Sequence, residues 1–518
     1  MPISKRALAL LSILAAPALA EEPMSAIDWL SRSIATPAAP GTVSPGQPVS
    51  PAEPPVTDGA AAGTIRTTTL DAQSIDGMGL TPAARVGLPR TLWGPSPTDT
   101  VVRMISAETV DTVPAVQALL LALMTAELAP PADSDPATGR LFLARVDKLL
   151  DMGALDPALA MLDLPDTPLP EVFRRWFDVA LLLGEEDRAC ETMRKSPQIA
   201  PAFPALIFCL ARGGDWNAAA LSLRTGEALG QIDADTAALL SRFLDPDLYE
   251  GEPDLPAPSR PSPLILRLME AIGQPVPTTR LPLAFAHADL RPTTPWKARL
   301  EAGERLARTG AIDPNALLGL YTERAPAASG GVWDRVRAVQ DFDAAIAAGD
   351  PGAVARTLPI VWERMKGVEL EVPFATLYGG VLSRLALDGA AGEIAFEVGL
   401  LSPDYEAVAR THKPHDGTEA FLAALAQGRP SGVTPPDQLG AALAAAFAPD
   451  VALPDDQAQR LAEHRAGEAI LQAIDEVTRG ATGDLRDVTA GLAVFRKVGL
   501  ESTARRAALE LMLLERRG

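Results

Sequence analysis

Three glycines constrain this chain more than any other feature. Gly153, Gly184 and Gly214 stand 31 and 30 residues apart, each between segments whose apolar residues recur every three or four positions. Each is followed five positions later by an alanine, Ala158, Ala189 and Ala219. Glycine accepts the left-handed conformation that ends a helix. The small alanine, early on the next helix, suits two backbones that cross closely. The local strings are Gly-Ala-Leu-Asp-Pro-Ala, Gly-Glu-Glu-Asp-Arg-Ala and Gly-Asp-Trp-Asn-Ala-Ala, and the spacing returns at Gly499 and Ala504. A period of this length is the mark of helical hairpins stacked in series. The expected fold is therefore all-α, an α-solenoid.

The helical period sets in at Thr98. It predicts helices over 98–109, 114–129, 138–152, 156–163, 170–183, 185–195, 201–212, 216–229 and 234–244. A short helix over 263–272 follows, then segments such as 331–348, 351–366, 373–387, 456–478 and 501–516. These give an N-terminal helical block over 98–248, an irregular Pro-rich connection over 249–295 and a C-terminal block over 296–518. Residues 64–97 read as extended or loop-like, broken by Gly77, Gly79, Pro82, Gly87, Pro89 and Pro95. Thr64 to Leu70 is the one strand candidate.

The first twenty residues bear on compartment. Lys5 and Arg6 precede the apolar run Ala7 to Leu14, and Ala18-Leu19-Ala20 fits a signal-peptide cleavage site. No Cys follows that run to take a lipid. A periplasmic or secreted chain, cleaved after Ala20, is expected. The most apolar stretch elsewhere, Ala115 to Ala129, falls short of the roughly 20 residues of a membrane span. Loss of Lys5 and Arg6 takes the formal charge from −20 to −22, since residues 1–20 hold no acid. So acidic a chain repels nucleic acid and favours basic or neutral partners.

Residues 21–34 form a short amphipathic helix in this reading. Ser25-Ala26-Ile27-Asp28 resembles a capping box, Ile27, Leu30 and Ile34 make an apolar stripe, and Trp29 adds a large anchor. Residues 35–63, rich in Pro, Ala and Gly, read as a disordered linker. Whether the segment docks a partner, packs on its own solenoid or is a disordered leader stays open at this level.

The Gly214-Asp215-Trp216-Asn217-Ala218-Ala219 string resembles the turn between paired helices of the tetratricopeptide family. Pro170 and Pro201, seventeen residues after Gly153 and Gly184, stand where that family often closes a repeat. The resemblance covers about residues 138–232 and departs at the family's Leu-Gly pair, replaced by Arg145-Val146, Trp176-Phe177 and Leu206-Ile207. The period is also shorter than the usual 34. It implies tetratricopeptide-like hairpins. The whole chain resembles a group of exported, alanine-rich proteins of Gram-negative bacteria sometimes labelled antifreeze glycopeptide polyproteins. That likeness lies in Ser25 to Leu30, Gly87 to Gly94, Leu318 to Arg324 and Ser329 to Arg335. The sequence has no tandem Ala-Ala-Thr units, and the likeness implies no activity.

Motifs that carry chemistry are sparse. There is no Gly-x-Ser-x-Gly elbow, no phosphate-cradling Gly-Lys-Ser/Thr loop and no His-Glu-x-x-His. His412-Lys-Pro-His415-Asp416 is the only histidine cluster, and its proline points to a solvated loop; no metal or other cofactor is expected. Glu185-Glu186 and Asp455-Asp456 fall at helix starts, where acids meet the dipole favourably. Ser329-Gly330-Gly331 precedes a helix with Trp333, Arg335 and Arg337, a candidate anion site; a plain N-cap with two glycines is the other reading. Cys190 and Cys209 are the only cysteines and flank a predicted turn at 196–201, so a disulfide is expected, with two buried thiols as the alternative. The function expected is a non-enzymatic scaffold that binds a protein or peptide in the cell envelope, with no nucleic acid and no membrane span. The alternative is a cell-wall glycan-acting enzyme or its accessory.

Overall fold

A computed structural model of the chain describes residues 74–165 and 169–514. The signal segment, the stretch 21–34 with Ile27, Trp29, Leu30 and Ile34, the linker and the strand candidate at 64–70 all lie outside the described residues.

The protein is all-α. The first nine helices are α1 Thr98–Ala107, α2 Pro114–Thr125, α3 Arg140–Asp151, α4 Leu155–Leu162, α5 Pro170–Leu183, α6 Glu186–Lys195, α7 Phe203–Arg212, α8 Trp216–Ala228 and α9 Ala234–Leu244. The middle of the chain adds α10 Pro263–Ala271, α11 Ala286–Asp289, α12 Trp296–Arg308, α13 Pro314–Thr322, α14 Val332–Ala348, α15 Pro351–Lys366, α16 Glu371–Leu382 and α17 Gly389–Leu401. The last are α18 Tyr405–Thr411, α19 Gly417–Ala426, α20 Gln438–Ala446, α21 Asp455–Ala462, α22 Ala466–Thr482, α23 Leu485–Lys497 and α24 Glu501–Leu513. From α3 to α9 each helix packs on the next. Gly153, Gly184 and Gly214 adopt φ of 71°, 89° and 84°, the conformation only glycine takes cheaply, and Ala158, Ala189 and Ala219 are fully buried. Gly499 and Ala504 repeat both features.

The chain of packed helices closes on itself. Besides its sequence neighbours, α24 packs on α2 and on α17, and α22 packs on α1. Glu510 accepts a hydrogen bond at 2.7 Å from the Ala115 N–H, an otherwise orphan donor at the start of α2. Thr478 donates to Thr112 at 2.8 Å, and the Gly467 N–H donates to the Leu92 carbonyl at 2.9 Å. One apolar core accordingly takes residues from early and late in the described sequence, Leu92 and Trp93 together with Ile474 and Phe495. A second core, around Phe342, Trp362 and Phe374, belongs to the middle helices.

Two buried cations on α3, Arg145 and Lys148, tie it to the segments before it. Arg145 donates to the carbonyls of Met124 at 2.9 Å, Ala126 at 2.5 Å, Asp76 at 3.3 Å and Met78 at 2.8 Å. Lys148 donates to those of Ser106 and Glu108 at 3.2 and 2.7 Å. The carbonyls of Met124 and Ala126 end α2 and those of Ser106 and Glu108 end α1, where positive charge is favoured, while Asp76 and Met78 lie in the segment before α1. A leucine at 145 would leave the four carbonyls that Arg145 serves bare.

Several boundaries differ from the sequence reading. The helix over 114–129 stops at Thr125, because Arg145 takes the Met124 and Ala126 carbonyls and Ala126–Glu127 pairs in parallel with Thr81–Pro82. This short ladder is in none of the predicted strands. The segment over 456–478 is two helices, α21 and α22, broken at His464 with φ 59°. The break admits Leu92 to Gly94, and a Cβ at Gly467 would strike the Trp93 ring. The helix over 373–387 begins at Glu371 and ends at Leu382.

Candidate functional site

The stack is covered unevenly along its glycine turns. At the α3–α4 turn Gly153 lies against Leu283 and Leu306, its carbonyl meets His287 Nε2 at 2.7 Å, and Thr309 donates to the Met152 carbonyl at 3.0 Å. Burial holds His287 below the ordinary imidazole range, so the neutral ring donates. At the α5–α6 turn Gly184 lies against the Arg291 guanidinium. There Arg267 donates to the Leu181 carbonyl at 2.7 Å, and Arg267 and Arg291 both pair with buried Glu186. At the α7–α8 turn a Cβ on Gly214 would meet nothing.

Helix α8 is bare beyond that turn. Asp215 caps it by accepting from the Ala218 N–H at 3.2 Å. Only Ala219, Leu223 and Gly226 are buried, a stripe at i, i+4 and i+7 that seats the helix on α7 and α9. Leu221 on the opposite side is 69% exposed, and Leu229 after its last turn 64%. Trp216 is 50% exposed and leans on Phe243 at 6.4 Å, which stacks on Phe208 at 5.7 Å. Leu248, in the turn after α9, is 68% exposed. Among the described residues, four of the seven large exposed apolar side chains thus fall within 216–248, which marks this end as apolar.

The same end is acidic. Residues 216–254 hold eight carboxylates, Glu227, Asp233, Asp235, Asp245, Asp247, Glu250, Glu252 and Asp254, all exposed, against two cations, Arg224 and Arg242. A cleft of ≈ 460 Å³ opens beside them, between Asp235, Thr236 and Leu239 on α9 and Leu255, Arg260 and Ile265.

The sequence-predicted residues fall elsewhere. Cys190 on α6 and Cys209 on α7 form the expected disulfide, with Cα atoms 4.9 Å apart, and no free cysteine remains. Gly331, with φ 54°, is the N-cap of α14 rather than Ser329, and the Gly330 N–H donates to Asp334 at 2.9 Å. Arg335 is held by both oxygens of buried Glu304, at 2.8 and 2.5 Å, and Tyr321 donates to the same carboxylate at 2.8 Å. Trp333 packs on Trp296 at 5.1 Å. Arg337 is exposed, as is Ser329. The structure thus brings Arg335 to a carboxylate from α12, a partner that nothing in the 329–337 string signals.

A second cleft, of ≈ 420 Å³, is lined by Glu270, Asp289, Thr278 and Thr294. Burial raises the Asp289 carboxyl above its ordinary range. Thr278 donates to Asp289, Arg267 pairs with Glu270, and no aromatic ring lines the cleft. Comparison with family models, with curated proteins and with solved structures finds no match to this chain. Among the described residues no helix is long and apolar enough to cross a membrane.

Proposed function

We propose that the protein is an exported scaffold of tetratricopeptide-like α-solenoid type that binds a basic, amphipathic protein segment in the cell envelope. The observation that carries this reading is the open end at Gly214, where apolar side chains stand among eight exposed carboxylates. Terminal units of a stacked array normally present a polar outer face. An apolar one in an acidic setting suits a partner with apolar anchors and positive charge. The Cys190–Cys209 bridge supports an oxidising compartment, periplasmic or secreted. The segment with Ile27, Trp29, Leu30 and Ile34 carries Glu21, Glu22 and Asp28 against Arg32. An acidic end repels it, which favours a role in docking a partner over covering this end. Residues 35–63 fit a linker for such an element.

The test uses a synthetic Lys/Leu amphipathic peptide and its Glu/Leu counterpart, with affinity read by fluorescence anisotropy. The basic peptide should bind, and weaken about tenfold or more as salt rises from about 50 to about 300 mM. Leu221→Lys with Leu229→Lys should abolish binding and leave stability within about 0.5 kcal/mol. Equal binding of the acidic peptide, or indifference to salt, contradicts the reading.

A further inference from the structure

The histidine cluster that the sequence reads as a plain loop acquires a third member in the fold. His412 closes α18, His415 lies in the loop 412–416, and Glu419 is the third residue of α19. One oxygen of Glu419 meets His412 Nε2 at 2.8 Å, His415 Nδ1 at 3.2 Å and the His415 backbone N–H at 2.8 Å. The two imidazole nitrogens and the carboxylate oxygen all lie within 4.8 Å of one another. The arrangement is held from outside as well. The His412 ring stacks on buried Phe396 of α17, centroids 3.6 Å apart and planes 12° apart, which fixes where Nε2 points. Asp416 caps α19 by accepting from the Glu419 N–H at 2.8 Å, which fixes the root of that side chain.

A capping box accounts for part of this, since a Glu at the third helical position commonly reaches back to a backbone N–H before the helix. It does not account for two imidazoles aimed at the same oxygen. We infer that His412, His415 and Glu419 hold one divalent cation of the zinc class. Two imidazoles and a carboxylate suit Zn²⁺, whereas Ca²⁺ and Mg²⁺ demand more oxygen donors than this set offers. Bonds of about 2.0–2.2 Å place tetrahedral donors roughly 3.3–3.5 Å apart. The observed 2.8 and 3.2 Å contacts open by about 0.1–0.7 Å, and the two imidazole nitrogens, now within 4.8 Å, settle at the same spacing once an ion replaces the shared protons. The His415 side chain is 80% exposed, so the fourth position faces outward, where water or a donor from another molecule completes the shell. Pro414 does exclude a single helix face, as the sequence suggests. The site instead spans a helix end, a loop and the next helix start.

The test is Zn²⁺ alone, titrated into the purified chain at neutral pH against a chromogenic chelator. One ion per chain should bind, with no competition from Mg²⁺. His415→Gln and Glu419→Gln should each weaken uptake about tenfold or more, while His464→Gln leaves it unchanged. His415 is exposed enough for its variant to fold, which unfolding curves check. Absence of uptake up to about 100 µM Zn²⁺, or uptake that survives the His415→Gln, Glu419→Gln double substitution, overturns the site. The site does not touch the acidic end of α8 and α9, and its test is independent of peptide binding.

Discussion

The α3–α4 and α7–α8 turns are built alike and finished differently. Each has a left-handed glycine and a buried alanine five residues on. Around Gly153 the later chain closes in, with Leu283, His287, Leu306 and Thr309 seated on the turn. Around Gly214 nothing does. Beyond the first turn, α22 and α24 complete the core against α1 and α2, from nearly 400 residues away in sequence. Beyond the second, α8 keeps Leu221 in solvent and a covalent staple joins α6 to α7. The surroundings of the two turns are therefore held by different means. The covered end is held by burial on both sides and by caged cations, the open end by a one-sided apolar stripe, an aromatic stack and a disulfide.

Breaking the covered end should have the largest effect. Arg145→Met removes a guanidinium that serves four carbonyls and should cost about 3–5 kcal/mol in urea unfolding. A loss under about 1 kcal/mol would mean that water replaces it and the cage is not what holds α2 to α3. Cys190→Ser with Cys209→Ser comes next, at about 2–4 kcal/mol. Its effect should be local, with faster amide exchange in α6 to α9 and none in α22 to α24. Equal loosening of both regions would show that the ends are not held separately.

The last effect belongs to two buried carboxyls, and it vanishes at low pH. Asp178 on α5 is pushed from 3.8 to about 7 by burial, against the pull of Arg174 and Arg175. Glu108, beside the covered end, is pushed from 4.5 to about 8 by burial, and the Asp475 charge adds to the rise. Each folded carboxyl keeps its proton after the unfolded one has lost it. Each therefore costs nothing below its unfolded value, and stability falls as pH rises until the folded value is reached. Asp178→Asn should raise the melting temperature by a few degrees at pH 7 and leave it unchanged near pH 4, and Glu108→Gln should do the same up to about pH 8. A gain at pH 4 as large as at pH 7 would assign the effect to packing.

What the sequence made legible was local. Helical periodicity, the glycine turns and the cysteine pair across a short turn all act within some thirty residues, where spacing alone determines who meets whom. The return of α22 and α24 onto α1 and α2 was not legible, because Glu510 and Ala115 carry no mark of each other. Arg335 read as a free cation for the same reason, its partner Glu304 lying one helix pair back. Net charge announced an acidic surface without saying where it gathers. Glu419 was missed beside His412 and His415 because it joins them only through the turn from α18 into α19.

Amide hydrogen exchange of the whole chain, with and without the basic amphipathic peptide, tests the open end most directly. The account predicts that the peptide slows exchange in α8, α9 and the turn through Leu248, and leaves α1, α2, α22 and α24 as they were. It also predicts that Leu221→Lys with Leu229→Lys removes that protection. Protection centred on α2 and α24, or a footprint on α8 that persists in the double variant, would contradict it.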